Sequence, residues 1–69
     1  MKYWKITTPF SIFTYEFETS NDVNIEEITK WFTAEYSAKK CKVREVNKSE
    51  IDCLWAIHLE RKDNGFMVY

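Results

Sequence analysis

Glycine and proline are nearly absent from this chain, each occurring once in 69 residues. A single glycine cannot form a glycine-rich loop that cradles a phosphate, so Walker-type and dinucleotide-binding motifs are excluded. The same scarcity, with 30% charged residues, argues against a disordered or low-complexity chain. Histidine is equally rare. His58 stands alone, which leaves one histidine base and no metalloprotease helix motif. No Gly-x-Ser-x-Gly occurs either. The two cysteines, Cys41 and Cys53, form no close Cys-x-x-Cys pair, so neither a zinc site nor a secreted disulfide framework is indicated. No apolar run approaches the ~20 residues of a membrane span. The stretch from Met1 to Lys5 leads into alternating residues rather than an apolar leader. These absences point to one cytoplasmic domain, with no membrane segment, no metal or cofactor, and no enzymatic activity.

Aromatic residues are plentiful, at 17% of the chain. Each buried ring removes about 150–250 Å² from water. A chain this short buries only about 60% of its unfolded surface, so its stability depends on such a core. The net charge of −1 names no partner. Its distribution is uneven: residues 1–38 are net acidic and residues 39–62 net basic, which gives a dipolar molecule if the halves occupy different surfaces.

Local patterning gives the order ββαβββ. Residues 2–8 place Trp4 and Ile6 on one side, and residues 11–18 place Phe13, Tyr15 and Phe17 on one side; this is the period-2 pattern of half-buried strands. A two-residue loop at Pro9 and Phe10 would set Ile6 opposite Phe13, Trp4 opposite Tyr15 and Lys5 opposite Thr14. Such loops prefer a positive φ that proline cannot supply, so one or two more residues are allowed for. Ile25, Ile28, Phe32 and Tyr36 recur at helical spacing. Asn21, Asp22 and Asn24 are candidate N-caps, and Lys39 and Lys40 suit the negative end, so a helix is expected over 23–38.

Residues 41–46 and 50–62 return to period 2. Joined through residues 47–49 as a hairpin, they would set Val43 opposite Cys53, Cys41 opposite Trp55 and Arg44 opposite Asp52. The alternative is a helix from Ser49 to Lys62; the unbroken alternation of Ile51, Cys53, Trp55, Ile57 and Leu59 favours strand. In the hairpin register both cysteines face the core at a diagonal separation of roughly 7–8 Å, too far for a disulfide, while His58 points the other way. Asp63-Asn64-Gly65 signals a hairpin into a last strand, with either Phe66 and Val68 or Met67 and Tyr69 facing inward. The expected fold is therefore α+β: one small domain with an antiparallel sheet of four or five strands and one helix on one face.

Two surfaces are candidates for function. The first is aromatic. Phe10 lies at a turn, Trp31 at the edge of the helical stripe, Tyr3 opposite the Trp4 face and Tyr69 at the end of the chain. Glu35 falls inside the apolar arc of the helix. Exposed aromatics make interface hot spots, and an unpaired edge strand can add to a partner's sheet or to a second copy of the chain. The second surface is basic: Lys39, Lys40, Lys42, Arg44 and Lys48 could bind nucleic acid beside aromatic rings. The acidic cluster of Glu16, Glu18, Asp22, Glu26 and Glu27 is too sparse for a nucleic-acid mimic. In size, aromatic richness and lack of catalytic motifs the chain is similar to the compact accessory proteins of bacterial viruses and prophages. The leading expectation is protein binding, inhibitory binding included. The runner-up is nucleic-acid binding through residues 39–48, and a homodimer joined by an edge strand is the third reading.

Overall fold

A computed structural model describes residues 1–37, 39–52, 57–62 and 65–68. Strand β1 (Lys2–Thr7) is followed by β2 (Thr14–Thr19), helix α1 (Ile25–Glu35), β3 (Lys42–Val46), a 3₁₀ turn (Lys48–Glu50), β4 (Ile57–Lys62) and β5 (Gly65–Val68). The five strands form one sheet in the order β3-β1-β2-β4-β5. The expected ββαβββ order and α+β class hold.

The sheet is mixed rather than wholly antiparallel. β1 pairs antiparallel with both β2 and β3, and β4 with β5, but β2 and β4 run parallel. The expected hairpin between residues 41–46 and 50–62 does not form. Val43 lies opposite Ile6 and Arg44 opposite Lys5. The pairing with β1 satisfies the same alternation, because Ile6 is as apolar as any partner on the next segment. Cys53 and Trp55, on which that hairpin register also rested, lie outside the described residues, as does the Cys41–Cys53 distance. From Ile57 the chain is strand, and no α-helix covers residues 57–62.

The β1–β2 register is shifted by two from the expectation: Trp4 faces Phe17, Lys5 faces Glu16 and Ile6 faces Tyr15. A shift of two preserves which face each side chain takes. It does lengthen the connection to residues 8–13, where Ser11 N–H donates to the Thr8 carbonyl at 3.5 Å and Phe13 N–H to the Ser11 hydroxyl at 3.0 Å. Proline's negative φ rules out the tighter loop, and Phe13, expected in the core, is left outside it.

Helix α1 is shorter than 23–38. Asn24 caps it: its side chain accepts from Glu27 N–H at 2.9 Å, while the Glu27 carboxylate accepts from Asn24 N–H at 3.3 Å, a reciprocal capping box. The helix ends after Glu35, and Ser37 takes the left-handed conformation at φ 52°. Lys39 and Lys40 therefore lie beyond the helix, and the last turn carries no basic residue.

One face of the sheet and the helix enclose the core of Trp4, Ile6, Phe17, Val23, Ile28, Phe32 and Leu59. Tyr36 stacks on Phe32 at 4.6 Å between ring centroids, and Cys41, Val43, Ile57 and Phe66 pack around the margin. Phe66 thus packs inward from the last strand, which pairs with β4 so that Gly65 lies opposite Lys62; the side chains of Met67, Val68 and Tyr69, on which the rest of that choice turned, lie outside the described residues. Ile25 stands out from the expected helical stripe and is exposed. Arg61 ties strand to helix, bonding to the carboxylates of Glu27 and of Asp22, the latter at 3.1 Å.

The connection from β3 to β4 joins strands separated by β1 and β2, and residues 53–56 of it lie outside the described residues. Its described part lies against Lys5 and Glu16: Asp52 N–H donates to the Glu16 carboxylate at 2.8 Å, and the Asp52 carboxylate accepts from Lys5 Nζ at 2.9 Å. Glu16 and Val46 are buried. His58 lies on the sheet face away from the core, beside Glu18, with Nδ1 2.9 Å from Oε1, as its even position implied. Among the described residues, no helix is long and apolar enough to cross a membrane.

Candidate functional site

The turn chemistry of residues 8–13 carries three large apolar side chains into solvent. Phe10 is 81% exposed, Ile12 94% and Phe13 72%. Single exposed apolar residues are common on protein surfaces, but adjacent ones in a short loop form a patch. Phe10 was legible from its place at a turn. Ile12 and Phe13 were not singled out, although the signal was present: two neighbouring apolar residues cannot both face the core of an alternating strand.

Beside this loop a groove of about 630 Å³ opens between the end of β1, the helix and the segment entering β3. Thr7, Thr8 and Pro9 form one wall, Thr29 and Thr33 of α1 another, and Lys39, Lys40, Cys41 and Lys42 the third. Its lining is predominantly apolar. The reason lies in the helix: Thr29 donates its hydroxyl to the Ile25 carbonyl at 2.6 Å and Thr33 to that of Lys30 at 3.1 Å. Their hydrogen-bonding capacity is turned inward on the helix, and their methyl groups supply apolar surface. Burial pushes the Cys41 thiol up from its ordinary value, so it is a weakly acidic wall of the groove rather than a poised nucleophile.

The lysines set the electrostatics. Among the described residues, no carboxylate lines the groove. Among the described residues, Lys39, Lys40 and Lys42 enter no ion pair. Three further strand cations are occupied: Lys5 by Glu16 and Asp52, Arg44 by Glu50, and Arg61 by Asp22 and Glu27. The expected Arg44–Asp52 pair is replaced, since Asp52 reaches Lys5 instead. A smaller depression of about 270 Å³ on the other side of the sheet is lined by Lys5, Thr7, Thr14, Lys42 and Arg44. Lys42 therefore borders both cavities. Lys48, in the 3₁₀ turn, lines neither.

The remaining aromatic candidates are placed differently. Trp31 is half-buried, with its ring edge-on to Phe17 at 5.3 Å and to Phe66 at 6.1 Å. Tyr3 is half-buried, opposite Val46 and Glu18. Glu35 is exposed at the end of the helix. Tyr69 lies outside the described residues. The structure thus gathers Phe10, Lys39, Lys40 and Lys42 at one end of the molecule and separates Trp31 and Tyr3 from them. Among the described residues, no group of three or more histidine, cysteine or carboxylate side chains is arranged to hold a metal.

Comparison with protein-family models, curated proteins and solved structures finds no match for this chain.

Proposed function

We propose that this chain is a cytoplasmic, non-catalytic protein-binding module whose recognition element is the β1–β2 loop. The observation that supports it is the exposure of Phe10, Ile12 and Phe13 together on a short, internally hydrogen-bonded loop. Apolar side chains held in water by a rigid support favour association, because the area they remove on contact is not offset by a large ordering cost. A module of this size covers the surface it binds, which is the physical basis for an inhibitory role. The low cysteine count supports the cytoplasmic assignment.

The test is affinity capture with the tagged chain and with a Phe10→Ser, Ile12→Thr, Phe13→Ser variant, after nuclease treatment. One stoichiometric protein retained by the wild type and lost by the variant is the expected result. Equal recovery by both rules the loop out. Sedimentation of the pure protein separates self-association from binding of another chain: a loop-dependent dimer makes a second copy the partner.

A second reading has its own support. Lys5, Lys42 and Arg44 surround one depression without a carboxylate in its lining, an arrangement suited to a phosphate backbone. Lys5 and Arg44 are already paired, and of the three only Lys42 has no ion pair among the described residues, which makes this the weaker reading. It requires steeply salt-dependent binding of a labelled oligonucleotide that is lost in Lys42→Ala.

A further inference from the structure

Resting on the protein-binding reading, we infer that the groove beside the loop receives an acidic segment of the partner protein: a short peptide stretch that seats an apolar side chain against Thr29, Thr33 and Pro9 while its carboxylates meet Lys39, Lys40 and Lys42. Three independent observations converge on this chemistry. The cavity, at about 630 Å³, is of the size that accepts large side chains or a drug-sized ligand. Its floor is apolar because the threonine hydroxyls are bonded within the helix. Three lysines are among its lining residues, with no carboxylate among the described ones, and they enter no ion pair among the described residues.

Charge complementarity selects the sign of the occupant. Three neighbouring lysines repel one another and gain from a shared anionic partner. The shape selects its class. A flat lipid surface could take up Phe10, Ile12 and Phe13 but would leave the adjoining concavity unfilled. A nucleic acid would satisfy the lysines but would place phosphates over an apolar floor. A peptide with an apolar anchor between acidic residues satisfies floor and rim together, and the loop extends the contact beyond the groove. Recognition of acidic motifs by a basic cluster is an established mode of peptide binding.

The experiment is selection of random twelve-residue displayed peptides on the immobilised full chain. Measurement of one enriched synthetic peptide follows, against wild type, a Lys39→Glu, Lys40→Glu, Lys42→Glu variant and a Thr33→Trp variant. Enriched sequences should combine Asp or Glu with Leu, Phe or Trp. Charge reversal and groove filling should each weaken binding at least tenfold. Lys39, Lys40 and Lys42 are exposed, so the charge-reversal variant should retain the wild-type thermal unfolding midpoint. A peptide with its acidic residues changed to lysine should recover affinity for that variant. This recovery keeps the test decisive if Thr33→Trp perturbs the fold.

Absence of acidic enrichment, or affinity unchanged within twofold in the charge-reversal variant, overturns the inference. Peptides whose binding is lost only in the loop variant would leave the protein-binding reading standing and remove the groove from it. If no peptide is enriched and the wild type instead binds vesicles of phosphatidylcholine and phosphatidylglycerol through the loop, both readings fall.

Discussion

The indole N–H of Trp4 donates to the hydroxyl of Thr19 at 2.8 Å, in the interior of the domain. Both residues are essentially inaccessible to solvent. The Thr19 hydroxyl donates onward to the Ser20 carbonyl at 3.2 Å. One threonine thereby satisfies the only polar atom of the largest core side chain and fixes β1 against β2.

Replacing Thr19 with valine preserves shape and removes the acceptor. A buried donor left without a partner costs about 1–3 kcal/mol. Thr19→Val should lower unfolding stability by that amount, and Thr19→Ser should recover much of the loss. Urea unfolding followed by tryptophan fluorescence measures both; equal stability of the valine variant and wild type would show the bond to be energetically idle.

Glu16 and Asp52 both approach Lys5, but their surroundings differ. The Glu16 side chain is 5% exposed and accepts the Asp52 N–H, whereas the Asp52 side chain is 85% exposed. Screening makes an exposed pair worth about 0–1 kcal/mol. Removing a buried acceptor leaves donors unpaired, at about 1–3 kcal/mol. Glu16→Ala should therefore destabilise the domain clearly more than Asp52→Ala. The reverse order in denaturant midpoints would contradict the placement of Asp52 against Glu16 and Lys5.

Ser37 adopts φ 52° just after the helix, a conformation in which a Cβ is unfavourable and glycine is the common choice. Ser37→Gly should stabilise the domain by about 0.5–1 kcal/mol, the usual scale for an optimised cap after the added unfolded-state entropy is subtracted. Thermal unfolding checks it, and a lower midpoint would refute it.

Acid should destabilise the domain through Asp22 and Glu50. The Ser20 hydroxyl, with Arg61, holds the Asp22 carboxyl below its ordinary value of 3.8. The Asn47 backbone N–H, with Arg44, holds Glu50 below 4.5. The unfolded chain then binds protons that the folded chain does not, so stability present above these values is lost as pH falls through the lowered ones. At the other end, burial, then Tyr15 and Glu35, raise the Tyr36 phenol above 10.0; stability there declines as pH rises past the ordinary value. Urea midpoints at pH 3, 4, 5 and 7 should increase in that order at the acid end, and Asp22→Asn with Glu50→Gln should flatten the trend.

The surface loop should behave differently from all of these. Phe10→Ser and Ile12→Thr remove side chains with few internal contacts, so each should change stability by no more than about 0.5 kcal/mol. A larger loss in either variant would mean that the loop supports the fold and is not free for recognition.

Alternation in the sequence determined the faces: Trp4, Ile6, Phe17 and Leu59 on the core side, and His58 on the other. It could not determine neighbours. Val43 makes an equally apolar cross-strand pair with Ile6 as with a residue of the following segment, so a hairpin and a pairing with β1 read alike. Nor does period 2 distinguish registers that differ by two, which is why Phe13 read as core and is found in solvent. The basic run was visible as charge. That three of its lysines would border an apolar groove depends on helix α1 ending early, which was settled by the left-handed Ser37 rather than by the apolar stripe.

The parallel pairing of β2 with β4 joins residues forty apart, from Phe17 to Ile57. As the chain folds, the N-terminal hairpin and helix can form from local contacts before the outer edge of β2 has its partner. In that interval Phe17 and Thr19 belong to an open sheet border next to an incomplete core, the kind of border that recruits other chains. Completion of the sheet thus needs β4 with β5, and a chain truncated before residue 57 lacks the strand that covers the β2 edge.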